Sequence, residues 1–314
     1  MKLVSILIPA YKPHFFRECL TSALAQTWRE REIIVSDDSR TEEIQKISAE
    51  YGRHVNYLRN PSPGVLGHNN IRHLCRTAQG AYLKFLFDDD LLHPFCVQYL
   101  VEALEKEARR GATLAFSPRI KIDRDNRPLE RIDAFAGRTD RLLDGREIIR
   151  QMASTMLNPI GEFTTVLFRR NDIFDRNGDL QIMSVEGVHW RGLSDVALFI
   201  HLCEKGAAVM VEDVMSYFRV HTHSNSDPAA NPEWFHAVAD WKLVLDYALE
   251  RRLLSQNEIV AGYRNLIRLL SDQQVVVPGL RDEFAKVLNR IRCDIDAAGL
   301  ERKSRQALLA MLPA

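Results

Sequence analysis

Residues 80–94 read Gly-Ala-Tyr-Leu-Lys-Phe-Leu-Phe-Asp-Asp-Asp-Leu-Leu-His-Pro. Gly80 ends one element. The apolar run 81–87 is too short for a membrane span. It reads as a buried strand, because strands covered on both faces lack polar alternation. The run stops at Asp88, Asp89 and Asp90. Three adjacent carboxylates repel one another and are costly beside an apolar strand end unless a cation neutralises them. A divalent metal does so simply, since hard cations take oxygen ligands. In open α/β sheets, ligands bind at the carboxyl ends of strands, where this cluster falls. Pro94 suits the first turn of a following helix. The plainer alternative is a solvated loop whose aspartates cap that helix.

Upstream, residues 3–9 read as a first buried strand, 13–26 as a helix and 32–36 as a second strand. A third strand is expected at 55–58. The loop 60–67 is rich in turn formers and leads to a helix over 68–78. This βαβ rhythm argues for a parallel sheet with helices on its faces. Downstream, a helix over 94–110 and a short strand at 114–117 are expected. Residues 119–143 read as a surface hairpin or loop, 144–157 as a helix capped by Asp144, and 166–168 as a strand. Residues 171–192 are loop-like. A helix over 194–205 and strands at 208–211 and 215–220 follow. Beyond residue 232 only helical patterns remain, over 232–252, 256–271, 280–297 and 300–311. Trp234, Phe235, Trp241, Tyr247 and Tyr263 fall at helical spacings and read as core.

The chain has 314 residues, 46% hydrophobic and 27% charged, with zero formal net charge. This is the profile of an ordinary soluble globular protein of about two domains. No basic surplus points to nucleic acid. No apolar stretch approaches the ~20 residues that span a bilayer. The apolar start is too short for a signal peptide. The five cysteines are odd in number and scattered, which suits reduced thiols in a cytoplasmic protein.

Two expected strands thus end in acid: Asp37-Asp38 and Asp88-Asp89-Asp90. One cluster can hold a metal that bridges phosphates. The other can accept hydrogen bonds from a sugar hydroxyl or a base edge. No GxGxxG follows the first strand, and no GxxxxGK[ST] occurs anywhere. Holding phosphate therefore falls to metal and side chains.

With these residues the chain resembles a family 2 glycosyltransferase, a nucleotide-diphospho-sugar transferase of the GT-A fold. The stretches that carry the resemblance are Val4-Ser-Ile-Leu-Ile-Pro-Ala-Tyr11, Ser22-Ala-Leu-Ala-Gln-Thr27, Glu32-Ile-Ile-Val-Ser-Asp-Asp-Ser39, the run 80–90 with Pro94, and Ser194-Asp195. The resemblance covers about residues 3–225. It implies an α/β, Rossmann-like mixed sheet with helices on both faces over 1–226, and an α-helical C-terminal region over 227–314. It also implies metal-dependent, inverting transfer of a sugar from a nucleotide-diphosphate donor to a hydroxyl of a glycan acceptor. A UDP-sugar is the first expectation for the donor and a dTDP-sugar the second. Mn2+ or Mg2+ is the expected metal, and surface polysaccharide synthesis at the inner face of the membrane the expected setting. For the helical region, acceptor binding, peripheral membrane association and homo-oligomerisation are open alternatives.

Carried over by position, Pro9, Ala10, Tyr11 and Asp38 line the pocket for base and ribose, and Asn70 and Arg72 complete the nucleotide site. Asp88 and Asp89 fill the acidic metal motif, with Asp90 beside them. The family commonly has an acid where this chain has Phe87. Asp195 matches the aspartate of the family's Glu-Asp pair, although Ser194 precedes it here. That aspartate is the base that takes the acceptor hydroxyl's proton. Its alternative role is to favour a helix N-terminus, and Glu186 is a second candidate for the base. Residues 217–226 resemble the segment that closes over the diphosphate. There His221 or His223 is a candidate metal ligand or phosphate contact, and Arg219 a bidentate phosphate donor. Gly161 and Glu162 fall where acceptor contacts are expected. Three other readings stay open: a metal-dependent nucleotidyltransferase or phosphohydrolase, a sugar-nucleotide binding module without transfer, and a purely structural scaffold whose acidic strand ends lie apart.

Overall fold

The computed structural model describes residues 1–64, 67–222, 228, 231 and 233–312. His223 lies outside the described residues. The chain opens with β1 (Val4–Ala10), α1 (Phe16–Leu24), β2 (Arg31–Asp37), α2 (Glu43–Ala49), β3 (Asn56–Arg59), α3 (His68–Thr77) and β4 (Tyr82–Phe85). Then come β5 (Leu91–Leu92), α4 (Cys96–Lys106), β6 (Ala112–Phe116), β7 (Arg119–Ile122), β8 (Pro128–Ile132), β9 (Leu142–Leu143), α5 (Gly145–Thr155) and β10 (Val166–Arg169). The two-residue strands β11 (Ser184–Val185) and β12 (Val188–His189) lead to α6 (Ser194–Lys205), β13 (Ala207–Met210) and β14 (Ser216–Arg219). Among the described residues five helices follow: α7 (Trp234–Ala239), α8 (Trp241–Glu250), α9 (Gln256–Val276), α10 (Arg281–Ala297) and α11 (Arg302–Leu309).

The main sheet has eight strands in the order β3-β2-β1-β4-β10-β6-β13-β9. β1 is parallel to β2 and β4, and β10 is antiparallel to β4 and β6. Every residue of β1 is buried. Successive side chains alternate faces, so Ile6 and Ile8 pack with Leu20 and Leu100 in one core, and Leu7 with Leu83 and Leu74 in the other. The second core also takes in Trp241, Leu266, Phe284 and Ile291, so the C-terminal helices close one face of the sheet. Gly80 is required where the chain enters β4. A Cβ there would meet the Ser5 nitrogen at 2.6 Å.

The expected strand over 81–87 is shorter than its apolar run. Only Tyr82–Phe85 pairs as β4, and the Leu86 amide still bonds Leu7 oxygen at 3.0 Å before the chain turns at the aspartates. The loop-like stretch before α6 contains the hairpin β11–β12, whose strands are too short to leave a periodic signal. The helical pattern 232–252 is split at Asp240 into α7 and α8. A second sheet, β5-β14-β7-β8, joins the residues just after the aspartates to the end of β14. Among the described residues, no helix is long and apolar enough to cross a membrane.

Candidate active site

The end of β1 lies between the two acid-tipped strands. The Asp38 amide donates to Ala10 oxygen at 2.8 Å. The Tyr11 and Lys12 amides both donate to Asp88 Oδ2 at 2.6 Å. Pro9 and Ala10 are buried in the strand, so they offer shape and backbone, whereas Tyr11 is 55% exposed. Asp37 is wholly buried and accepts from the Ser39 amide, Tyr57 Oη and Arg59. Asp38 is the half-exposed acid of this pair, with Asn60 Nδ2 at 2.8 Å from Oδ1. Burial raises its carboxyl above the usual range.

The three aspartates of the central run have different partners. Asp88 is buried on the amides of residues 11 and 12. Burial first, and the Asp89 charge second, push it up to about 7. Asp90 is also buried. Its Oδ2 accepts from Thr164 Oγ1 at 2.6 Å and its Oδ1 from the Arg219 amide at 3.1 Å. Burial raises it strongly as well. Asp89 alone of the three keeps intermediate exposure, and its Oδ2 meets His221 Nε2 at 3.0 Å. Lys84, fully buried in β4, donates to Thr164 oxygen and lies near enough to Asp90 to feel its charge. This buried cation compensates part of the charge above it.

Arg219 does not stand as a phosphate donor. It is fully buried, and its Nε donates to Asp89 oxygen at 2.8 Å. Its other nitrogens reach Asp123 oxygen, Arg124 oxygen and Glu18, and the guanidinium stacks on Phe15 at 4.2 Å. The sequence-based expectation fails because β14 pairs with β5, just after the aspartates, and this buries the guanidinium against their turn.

Asp195 lies in the first turn of α6. Its Oδ1 accepts from the Val196 amide at 2.8 Å, and Asn158 Nδ2 donates to Oδ2 at 3.2 Å. Ser194 makes no side-chain cap. Burial pushes Asp195 up to about 6, with the Glu162 charge adding to the rise. A carboxylate poised near neutrality suits a general base. Glu186, the second candidate base, lies at the β11–β12 turn with φ +52° and pairs with Arg251 of the helical region. That pairing commits its carboxylate to holding the hairpin.

Asn70 joins α3 to β2 through Ser36 oxygen at 2.8 Å and is buried. Arg72 Nη2 lies 3.1 Å from His189 Nδ1, and His189 Nε2 lies 3.1 Å from His68 Nδ1. Arg72 can only donate, so His189 carries its proton on Nε2 and passes a donor on to His68. Burial lowers His68 to about 4 and lowers His189 too, which keeps both rings neutral. Sequence reasoning missed His68, His189, Asn158, Thr164 and Lys84. Only Lys84 leaves a local signal, as one cation inside an apolar strand.

Among the described residues, no group of three or more His, Cys, Asp or Glu side chains has the geometry to hold a metal by itself. The Asp89–His221 pair does fit a cation that arrives with phosphates, because such ions take only one or two protein ligands and complete their shell from substrate. Acids at the ends of β2 and β4, on either side of β1, and a carboxylate at a helix start, set on this mixed sheet, match the GT-A class of glycosyltransferase. The chain belongs to glycosyl transferase family 2, whose sequence profile matches residues 5–184. It is similar to an uncharacterized glycosyltransferase of Rickettsia prowazekii, 34% identical over 105 residues, which are 33% of this chain and 32% of that one. It is also similar to chondroitin synthase of Escherichia coli, 31% identical over 128 residues, 39% of this chain and 18% of the enzyme. The matches thus span a third or less of these relatives. Among solved structures, residues 1–349 of S. aureus TarS in complex with UDP-GlcNAc superpose with a TM-score of 0.62 at 15% identity, over 99% of this chain and 87% of that one.

Proposed function

We propose that residues 1–226 carry out metal-dependent, inverting transfer of a sugar from a UDP-sugar to a hydroxyl of a glycan acceptor, and that the helices of 227–314 brace this domain. The observation that carries the reading is the convergence at β1. The Asp38 amide, the Tyr11 and Lys12 amides and Asp88 are bonded around one strand end, in a chain that belongs to this family. Asp38 accepts from the base or ribose, with Tyr11 beside it. Arg72, aimed by His189, faces the phosphates, while Asn70 supports it from behind. Asp89 and His221 would hold Mn2+ or Mg2+, which would offset the charge of the departing diphosphate. Asp88 and Asp90 fix the turn that presents Asp89. Asp195 takes the proton of the attacking hydroxyl, and attack opposite the leaving group inverts the anomeric centre. Chondroitin synthase among the relatives, itself named for a polysaccharide product, supports a role in making surface polysaccharide.

A thermal-shift screen of UDP, dTDP and their sugars, with and without Mn2+, tests this reading. A ligand that binds only the folded state raises the midpoint. The expected result is a shift with UDP that needs Mn2+ and disappears in Asp89→Ala. No shift with either nucleotide in Mn2+ overturns it.

A further inference from the structure

The segment from Asn158 to Thr164 links the two halves of the chemistry. At one end Asn158 Nδ2 donates to Asp195 Oδ2 at 3.2 Å, and at the other Thr164 Oγ1 donates to Asp90 Oδ2 at 2.6 Å. Glu162 lies between these anchors. Its charge bears on both Asp90 and Asp195. It is paired with Arg119, whose Nε lies 2.6 Å from Glu162 Oε2.

Arg119 is 8% exposed, and Glu162 Oε2 is buried against it. The short contact holds the carboxylate by one oxygen and fixes its direction. The Glu162 side chain also keeps 33% of its surface open. Gly161 holds the approach. Its φ is +110°, and a Cβ there would meet Arg119 Nη1 at 2.7 Å. Any other residue would push the guanidinium away from Glu162. Ser194 leaves no acid beside the base on α6, so Glu162 is the carboxylate that accompanies Asp195.

In a transfer reaction the donor sugar must reach from the diphosphate, at the aspartate turn, to the hydroxyl activated by the base. A group between Asp90 and Asp195 faces that sugar. We infer that Glu162, aimed by Arg119, accepts a hydrogen bond from a hydroxyl of the transferred sugar and so selects the donor. Arg119 is a positioning residue in this arrangement. The inference rests on the transferase reading above. It replaces the expectation that Glu162 contacts the acceptor, because the segment ties Glu162 to the aspartate turn as firmly as to the base.

The test is calorimetric titration of the full chain in Mn2+ with UDP, UDP-glucose, UDP-galactose and UDP-N-acetylglucosamine. Wild type is expected to rank the three sugars. Glu162→Gln keeps the volume and removes the charge. It is expected to leave UDP affinity within about twofold. It should weaken the preferred UDP-sugar by about tenfold or more, as for a lost charged hydrogen bond, and flatten the ranking. Arg119→Lys keeps a cation but not its planar aim, and should weaken the same sugar with UDP unchanged. Equal losses for UDP and UDP-sugar, or an unchanged ranking in both variants, overturn the inference while the transferase reading stands. A wild-type chain that binds none of the four overturns both.

Discussion

His221 Nε2 lies 3.0 Å from Asp89 Oδ2, bridging 132 positions of sequence. The imidazole is nearly buried and packs against Phe15 at 5.3 Å between ring centres. The contact therefore fixes the aspartate that keeps most exposure, and it does so from the segment just beyond β14. In the proposed reaction the two side chains share one cation. Asp89→Asn and His221→Ala should each weaken UDP binding in Mn2+ by about tenfold or more, and leave binding in chelator unchanged. Calorimetry in Mn2+ and in EDTA measures this. A loss of equal size in both buffers would show that the pair serves the fold alone.

Asp195 supplies a pH dependence whose sign is fixed. Its carboxyl sits at about 6 against an ordinary 3.8. A base must be ionised, so kcat/KM should fall about tenfold per pH unit below 6 and level off above it. Stability runs the other way. A raised carboxyl binds its proton more tightly when folded, so the contribution is present at low pH and is lost as pH rises from 3.8 towards 6. Asp195→Asn should therefore abolish most turnover while raising Tm at neutral pH, by a stability gain on the order of 1 kcal/mol after allowance for solvent screening. At acid pH the gain should vanish. Paired melting curves and pH-rate profiles decide the matter, and an acid limb that persists in the asparagine variant would exclude Asp195 as the base.

Arg219 tests how the turn is held. The side chain is fully buried, stacks on Phe15, and bonds the carbonyl of Asp89 and the carboxylate of Glu18. Arg219→Ala would strand these acceptors and is expected to cost about 3 kcal/mol in denaturant unfolding. Glu18→Gln removes only a half-exposed partner and should cost under about 1 kcal/mol. Similar costs for the two would mean that the stacking and the carbonyl contacts contribute little.

The sequence discloses the fold through elements with a local cause. β1, β2 and β4 have mostly apolar centres because both faces are covered, and Asp144 caps α5 through the Glu147 amide at 3.0 Å. The acid tips of β2 and β4 are visible for the same reason, since each apolar run ends abruptly in carboxylates. The division of labour among Asp88, Asp89 and Asp90 is not visible. It is set by Tyr11, His221 and Thr164, each more than 70 positions away from its partner, and no periodicity encodes such pairs. Arg219 is misread for the same reason: its residue type suits phosphate, and only the register of β14 against β5 shows it beneath the turn.

The last prediction concerns the C-terminal helices and the base. Leu193 precedes α6 without a side-chain cap, and Gly192 and Leu193 instead donate their amides to Asp240 Oδ2 at 2.7 and 3.3 Å. Asp240 stands at the junction of α7 and α8, so the helical region caps the helix that carries Asp195. Gly192 is pressed against this junction, where a Cβ would overlap the backbone of His236. Asp240→Ala should cost about 1–3 kcal/mol, since two part-buried amides lose their acceptor. It should also lower kcat with little change in UDP affinity, because the start of α6 shifts while the β1, β2 and β4 ends stay in place. Gly192→Ala should be worse, with destabilisation of about 3 kcal/mol or more, because backbone rather than a flexible side chain must move. Chemical denaturation and steady-state kinetics on the two variants measure both effects. If Asp240→Ala lowered UDP affinity as much as kcat, the helices would be supporting the whole domain rather than the base.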